Sequence, residues 1–330
     1  MSMRTMHDVA RAAGVSAMTV SRYLHQPSLL KPATRVKVQQ AIERLQYIPN
    51  ETARTLLTGR TRTVALVVAD ITNPFFTAIA RGAEDVAVAS AYTLVLGNSD
   101  ERLEKERGYL RTTIARRMDG LVLSPAEAGE HHIAWFTQHK IPVVLIDREI
   151  AGVRADAVLS DSRDGARQLV AYLVARGYRE IAFIGGEAGV SSLEERLAGY
   201  RDAMREAGLA PEEHLGRYDR QSGEEIMTRL LSGGRVPHPR AVIAANNYVA
   251  VGALVALRRA GLRTPGDVAL ACFGDLEIAA LLDPFLTVIA QPAYEMGRLA
   301  MDALLERIGG YQGAPRRRVL PVKLIARRSA

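Results

Sequence analysis

Apolar positions along this 330-residue chain recur with two different periods, and the change between them divides it. Up to about residue 48 the spacing is helical. Thr5 and Asp8 stand three residues apart at the head of 6–13, in which Val9, Ala10 and Ala13 share a face. A hydroxyl and a carboxylate at that spacing satisfy the free N–H groups of a helix start. Gly14 supplies a backbone permissive enough for a tight turn, and Ser16 can cap a second helix over 17–24 with Val20 and Leu24 on its apolar face. Lys31-Pro32 opens a third helix, since Pro is tolerated in a first turn, with Val36, Val38, Ile42 and Leu45 as its core stripe. Tyr47-Ile48-Pro49-Asn50 stops it. Glu51 to Leu57 has helical propensity, but so short a helix is marginal alone in water, and it is expected to order only on a partner.

From Thr63 onward, short aliphatic runs alternate with helical stretches. The runs fall at 64–68, 93–96, 121–123, 143–146, 157–159, 181–184, 241–244, 268–272 and 286–289. Between them lie stretches such as 76–89, 104–116, 165–175, 193–207 and 250–260. That alternation predicts an α/β fold with parallel sheets covered on both faces, and two doubly wound lobes accommodate so many strands better than one sheet. Ligands of such sheets bind beyond the carboxyl ends of the strands. The residues there are Asn73-Pro74-Phe75-Phe76, Asp147-Arg148, Asp161, Gly185-Gly186, Asn246-Asn247, Gly274-Asp275 and Gln291. Polar groups with a few aromatics suit a hydroxyl-rich small molecule. Arg196, early in a helix, could grip a hydroxyl pair or a carboxylate with two N–H groups. Taken singly, each is more often a strand-end turn or a cap than a ligand contact.

Charge separates the two parts further. The chain carries +7 overall, with 43 basic and 36 acidic residues. Residues 1–60 hold nine Lys/Arg against three acids, and residues 309–330 hold six (Arg316, Arg317, Arg318, Lys323, Arg327, Arg328) against none. The stretch between them is net acidic. A basic head on an acidic body points to a polyanion for the head alone. Three short helices, the second reading Ser16-x-x-Thr19-Val20-Ser21-Arg22, form a candidate helix-turn-helix that enters the major groove by the N-terminal end of its second helix. Ser16, Thr19 and Ser21 are candidates for phosphate contacts or caps, and Arg22 for guanine. Ala17 and Met18 lack side-chain donors and could sense only thymine methyls or groove shape. Leu56 and Leu57 are placed as wedges for a minor-groove step, or else pack on the domain that follows. The basic tail has no assigned role and is expected to be a solvated strand end.

Catalytic patterns are missing. The sequence contains no G-x-G-x-x-G after a strand, no P-loop and no G-x-S-x-G. His131 and His132 are adjacent, and His139, His214 and His238 lack metal-ligand spacing. Trp135 and the single cysteine, Cys272, sit in apolar contexts and read as core. No catalytic residue, cofactor or metal is expected. Met1 to Val15 holds no apolar signal-like stretch and no run approaches the ~20 residues that span a bilayer, so a cytoplasmic protein without membrane contact is expected.

The whole chain resembles the LacI/GalR family of bacterial transcription repressors. The residues that carry the likeness are Thr5-Met6-His7-Asp8-Val9-Ala10-Arg11-Ala12-Ala13-Gly14-Val15-Ser16, Thr19-Val20-Ser21-Arg22, Tyr47-Ile48-Pro49-Asn50 and Ala53-Arg54-Thr55-Leu56. Farther along come Asn73-Pro74-Phe75-Phe76, Asp119-Gly120-Leu121, Arg196-x-x-Gly199-Tyr200, Leu282-Asp283-Pro284-x-Leu286-Thr287 and Gln291-Pro292. The resemblance implies an all-α helix-turn-helix headpiece over 1–48, a hinge helix and linker over 49–60, and a periplasmic-binding-protein-like core over 61–330. In that core one lobe would hold about 61–160 plus 291–322 and the other about 161–290. It implies a homodimer on a pseudo-palindromic operator in double-stranded DNA. Thr5, Asn50 and Ala53 join the DNA-contacting candidates, and Leu56 matches the hinge leucine that wedges into the operator's central step. Asn73, Phe75, Asp147, Arg148, Arg196, Tyr218, Asn247, Asp275 and Gln291 match effector-pocket positions. The leucine-repeat tail that makes the lactose repressor a tetramer has no counterpart.

Two departures bear on specificity. The residue after Asn246 is commonly Asp in the family and here is Asn247, which leaves Arg148 and Arg196 less balanced. The expected effector therefore carries a carboxylate or phosphate, as a sugar acid does; an uncharged sugar held through the Asn247 amide oxygen is the alternative. Ala17-Met18 leaves base specificity to Arg22 and the hinge. The leading function is a ligand-responsive repressor of carbohydrate or sugar-acid genes, without catalysis. A solute-binding receptor would need a signal peptide and no head, and a sugar-converting enzyme with a fused head would need a nucleophile or acid–base pair.

Overall fold

Helices α1 (Met6–Ala13), α2 (Ala17–His25) and α3 (Pro32–Leu45) form where the helical spacing predicts them. They are seen in a computed structural model that describes residues 4–48, 59–126, 133–232, 239–276 and 285–330 and divides into two units, Met1–Thr61 and Arg62–Ala330. Thr5 and Asp8 close a reciprocal cap on α1: the Thr5 N–H and hydroxyl both donate to Asp8 Oδ2 (2.9 and 2.8 Å), and the Asp8 N–H donates to Thr5 Oγ1 at 3.3 Å. Gly14 ends α1 with φ +66°, a left-handed conformation that favours glycine. Val9, Ala10, Val20, Val38, Ala41 and Tyr47 form the buried core of this unit. Val36 is not part of it. At 52% exposure it faces away, and Ala41 takes the inward place on α3.

The second unit is built on two six-stranded sheets. The first takes β1 (Thr63–Val68), β2 (Thr93–Asn98), β3 (Gly120–Leu123), β4 (Val143–Ile146) and β5 (Asp156–Ser160). The second takes β6 (Ile181–Ile184), β7 (Glu212–His214), β8 (Ala241–Ala244), β9 (Ala269–Phe273) and β10 (Thr287–Ala290). The last two strands separate: β11 (Arg317–Leu320) pairs parallel with β5, whereas β12 (Lys323–Ile325) pairs antiparallel with β10. The spatial orders are β11-β5-β4-β3-β1-β2 and β12-β10-β9-β8-β6-β7. The chain therefore passes between the sheets after β5, after β10 and after β11. Inner strands such as β3, β6 and β8 are buried at every residue, as sheets covered on both faces require.

Helices α4 (Pro74–Ala89), α5 (Leu103–Ala115) and α6 (Ala134–Gln138) serve the first sheet, and α7 (Ser162–Ala175), α8 (Ser191–Glu206), α9 (Arg220–Ser232) and α10 (Asn247–Arg259) the second. Helix α11 (Ala293–Ile308) follows β10 yet packs on the first sheet, where Met296, Ala300, Met301 and Leu304 join Val64, Leu66, Val122 and Ile79 in one cluster. Glycines let these helices touch backbone to backbone. A Cβ on Gly82 would stand 2.0 Å from the Tyr294 carbonyl oxygen, and one on Gly297 2.0 Å from that of Ile79, so α4 and α11 approach through both. Gly199 does the same for α8 against α7, and Gly252 for α10 against α9.

The basic tail is not a solvated strand end. Arg316 donates to Asp156 and to Glu306, Arg317 to Glu149, and Arg327 to Asp275. Half of its six cations are thus neutralised by carboxylates far away in sequence. Cys272 is fully buried, as expected of core, and Trp135 is half-buried against the first lobe with Arg111 over its ring.

Candidate functional site

The predicted DNA-contacting face can be followed on α2. Ser16 caps the helix: its Oγ accepts from the Thr19 N–H at 3.1 Å and lies 2.9 Å from the Thr19 hydroxyl. Ser16 and Arg22 are exposed, and Met18, 68% exposed, stands on the same open side. Thr19 and Ser21 are half-buried, and Ala17 packs partly against the headpiece core, which leaves less of it to meet a base. Thr5 is exposed beside Asp8. Asn50, Ala53 and Leu56, and with them Leu57, lie outside the described residues.

In the core, the carboxyl ends of both sheets open on one cavity of about 590 Å³. It is lined by Asn73, Phe75, Asp147, Arg148, Arg196, Tyr218, Asn247 and Gln291, eight of the nine predicted positions, together with Phe76, Glu101, Ser192 and Phe273. The ninth, Asp275, is not among the lining residues. Its carboxylate is held by both Nη atoms of Arg327 at 2.7 and 2.6 Å, and that pairing holds its pKa below the usual carboxylate value. Position in the sequence puts Asp275 at the end of β9, but the returning C-terminal segment claims its side chain.

Local structure fixes the other groups. Asn73 caps α4, its Oδ1 accepting from the Phe75 N–H at 3.1 Å. Asn246 caps α10 through Val249 and donates to the Tyr218 carbonyl, so it is a structural member of the pair and Asn247 the inward one. Gln291, at the crossover after β10, donates to Ser160 Oγ at 2.8 Å. Asp147 ends β4 in the left-handed region (φ +66°), which costs a non-glycine residue about 1–3 kcal/mol and aims its side chain off the sheet edge. Burial pushes the Asp147 carboxyl up, against the pull of Arg148 and Arg196. Burial likewise raises the Tyr218 phenol.

Arg148 differs most from expectation. Instead of being a free cation, it is chelated by Glu101, with Nη1 to Oε2 and Nη2 to Oε1 both at 2.6 Å. Nη1 also donates to the carbonyls of Pro125 and Ala126, and the guanidinium lies 5.2 Å from the centre of the Tyr218 ring. Burial disfavours its charge, but Glu101 outweighs that and keeps the guanidinium protonated. Arg196 donates from Nη1 to the Ala245 carbonyl at 2.7 Å and sits over Phe273. The sequence reading missed Glu101 because it ended β2 at residue 96; the usable signal was a carboxylate just past that strand's carboxyl end. The lining holds six carboxylates against four guanidiniums, so Asn247 does not leave the pocket with an unbalanced positive charge.

Four polar atoms in this cavity are buried without a hydrogen-bond partner: Asp147 Oδ1, Arg148 Nε, Arg196 Nε and Tyr218 Oη. One acceptor, two donors and one group that is both converge on the same space. Buried polar atoms are normally satisfied, so this set fits a small ligand bearing several hydroxyl groups. A helix-turn-helix unit joined to a two-sheet binding core with such a cavity defines a DNA-binding regulator that responds to a small molecule.

Comparison with known proteins agrees. Residues 5–50 match the profile of bacterial regulatory proteins, lacI family, and residues 170–330 that of a periplasmic binding protein-like domain. The chain is 33% identical over 329 residues to the HTH-type transcriptional regulator KdgR of Bacillus subtilis (strain 168), covering 98% of this chain and 97% of that one. It is 35% identical to the ribose operon repressor of Escherichia coli (strain K12), covering 93% of each. Its fold matches the crystal structure of the lac repressor dimer bound to operator and the anti-inducer ONPF, with a TM-score of 0.88, 27% identity and 99% of both chains covered. The chain belongs to the lacI family of bacterial regulatory proteins, and it is a transcriptional regulator, not an enzyme. No described helix is long and apolar enough to cross a membrane.

Proposed function

We propose that the chain is a repressor that binds a pseudo-palindromic operator as a homodimer and is controlled by a sugar-like effector seated in the core cavity. The observation that carries the effector reading is the convergence of Asp147 Oδ1, Arg148 Nε, Arg196 Nε and Tyr218 Oη, all buried and unpartnered. A pyranose or furanose offers hydroxyl donors and acceptors around an apolar ring, and Phe75, Phe76 and Tyr218 supply faces for that ring. The ribose operon repressor among the relatives supports a sugar, and the operator-bound lac repressor dimer supports dimeric DNA binding. Residues 1–48 read the DNA, 49–60 form the hinge, and the two lobes of the core hold the effector between them. The regulator works in the bacterial cytoplasm, where its DNA lies.

A sugar acid is a second reading, favoured by Arg196, which among the described residues is buried without a carboxylate chelating it and has an unpartnered Nε. A thermal-shift screen of aldoses, aldonates and sugar phosphates tests the assignment. A hit is expected to raise the melting temperature of the wild type and to be lost in Asp147→Ala and Arg196→Ala. A hit that survives both substitutions places the effector elsewhere.

A further inference from the structure

We propose that Glu101 sets the charge class of the effector: by neutralising Arg148 it fits the cavity to an uncharged sugar and turns away the corresponding sugar acid. The inference rests on the reading of the cavity as the effector site. Arg148 on its own would be a receptor for anions, since a guanidinium presents a planar fork of N–H groups that matches a carboxylate. Here the Nη end of that fork is spent. Both Nη atoms grip Glu101, and Nη1 also serves the carbonyls of Pro125 and Ala126. What is left is Nε, which makes no hydrogen bond and lies 3.5 Å from Asp147 Oδ2, and one N–H of Nη2, on a guanidinium whose charge Glu101 already balances.

Glu101 is placed for this task by the backbone and is not a long side chain that happens to reach. Asp100 and Glu101 both adopt left-handed conformations, with φ +50° and +57°. The Glu101 N–H donates to the Ala69 carbonyl at 3.0 Å, which ties the loop after β2 to the end of β1. The side chain then crosses to Arg148 beyond β4, with β1 and β3 lying between β2 and β4 in the sheet. An incoming carboxylate would meet Glu101 and Asp147 on this wall and would have Arg196 as its one buried cationic partner, already donating to Ala245. Bringing like charges together in a poorly hydrated cavity is costly, whereas a hydroxyl donates to Asp147 without penalty.

Calorimetric titration of the full-length protein with carbon-matched pairs tests this: ribose and ribonate, glucose and gluconate, galactose and galactonate. Wild type is expected to bind the aldose of at least one pair about tenfold more tightly than its aldonate, and Glu101→Gln to shift that ratio toward the aldonate by about tenfold or more. Glu101→Gln/Arg148→Gln removes both charges and the Arg148 Nε donor; it is expected to weaken both ligands while still binding the aldose more tightly than the aldonate, and it serves if the single variant does not fold. A wild type that prefers the aldonate, a Glu101→Gln variant that weakens both ligands equally, or a double variant that loses the preference overturns the role of Glu101 while leaving the cavity as the effector site. Failure of the wild type to bind either member of any pair overturns the effector-site reading, and this proposal with it.

Discussion

The side-chain amides of Asn73 and Asn247 exchange two hydrogen bonds across the cleft, each 3.1 Å long, Nδ2 of one donating to Oδ1 of the other. Asn73 heads α4 on the first lobe and Asn247 begins α10 on the second, so the buried pair links the lobes across the cavity both residues line. Its direction is fixed, because Asn73 Oδ1 also accepts the Phe75 N–H that caps α4. The neighbouring Tyr248 hydroxyl donates to the Thr72 carbonyl and adds a second link at the same edge. The family's usual Asp at 247 would set a carboxylate against Asn73 Oδ1; the amide found here makes the pair reciprocal.

Truncation of one partner should therefore be felt by the other. In Asn247→Ala the buried Asn73 Nδ2 loses its acceptor, and an unsatisfied buried donor costs about 1–3 kcal/mol. The urea midpoint of the protein is expected to fall accordingly, and to fall less in Asn247→Ser, whose hydroxyl can accept part of that bond. A midpoint equal to the wild type's in both variants would show that the amide pair holds nothing together.

Glycine contacts between α4 and α11 give a second measurable consequence. In Gly82→Ala the new methyl would lie 2.0 Å from the Tyr294 carbonyl oxygen, which is backbone and cannot swing aside. The helices must separate, exposing part of the Ile79, Ala83, Met296 and Ala300 cluster. Overpacking of this kind costs about 1–3 kcal/mol or more, and thermal unfolding is expected to show it, whereas Gly108→Ala, with open space around its Cβ, should be neutral or slightly stabilising.

The buried Asp156 predicts how stability follows pH. Its side chain is 2% exposed and receives Nε and Nη2 of Arg307 at 2.8 and 2.9 Å, with Arg316 also donating. Burial alone would push this carboxyl up; the two guanidiniums and the Arg316 N–H outweigh it and hold it at about 2. Unfolded, it titrates near 3.9. The folded state is therefore favoured above pH ~4, and that advantage is lost as pH falls from about 4 to 2, by about 1–2 kcal/mol once solvent screening is allowed for. Arg307→Met is expected to lose stability at pH 7 and to flatten the acid limb of the stability curve. An acid limb as steep as the wild type's would exclude Asp156 as its source.

Which parts of this molecule could be read from its sequence follows from where they sit. Inner strands such as 181–184 and 241–244 are aliphatic because both faces are covered, and their pattern shows them directly. The three strands without such a pattern, β7, β11 and β12, lie at sheet edges and carry Glu212, Glu213, Arg317, Arg318 and Lys323. Charge at an edge protects it from pairing with another chain, and it erases the alternation that reveals a strand. The cavity shows the same contrast. Asn73 and Asn247 are legible as strand-end polar residues. The partners of Arg148 and Asp275 are not, because Glu101 and Arg327 lie 47 and 52 residues from them and are brought in by topology.

The headpiece makes the last prediction. Arg22 is exposed on the same side of α2 as Met18, while Ser16 and Thr19 are occupied with each other at the helix start. Arg22 is therefore the long donor free to reach a base edge, and Met18 can contribute only apolar contact. Binding sites selected in vitro from random duplexes should be pseudo-palindromic, each half carrying a guanine that depends on Arg22. Arg22→Ala is expected to weaken binding to the selected site by about 1–3 kcal/mol while changing binding to scrambled DNA much less. Fluorescence anisotropy on the two duplexes at several salt concentrations separates these outcomes. Equal losses on selected and scrambled DNA for Arg22→Ala would assign Arg22 to the phosphate backbone and leave base reading to the rest of α2 and the hinge.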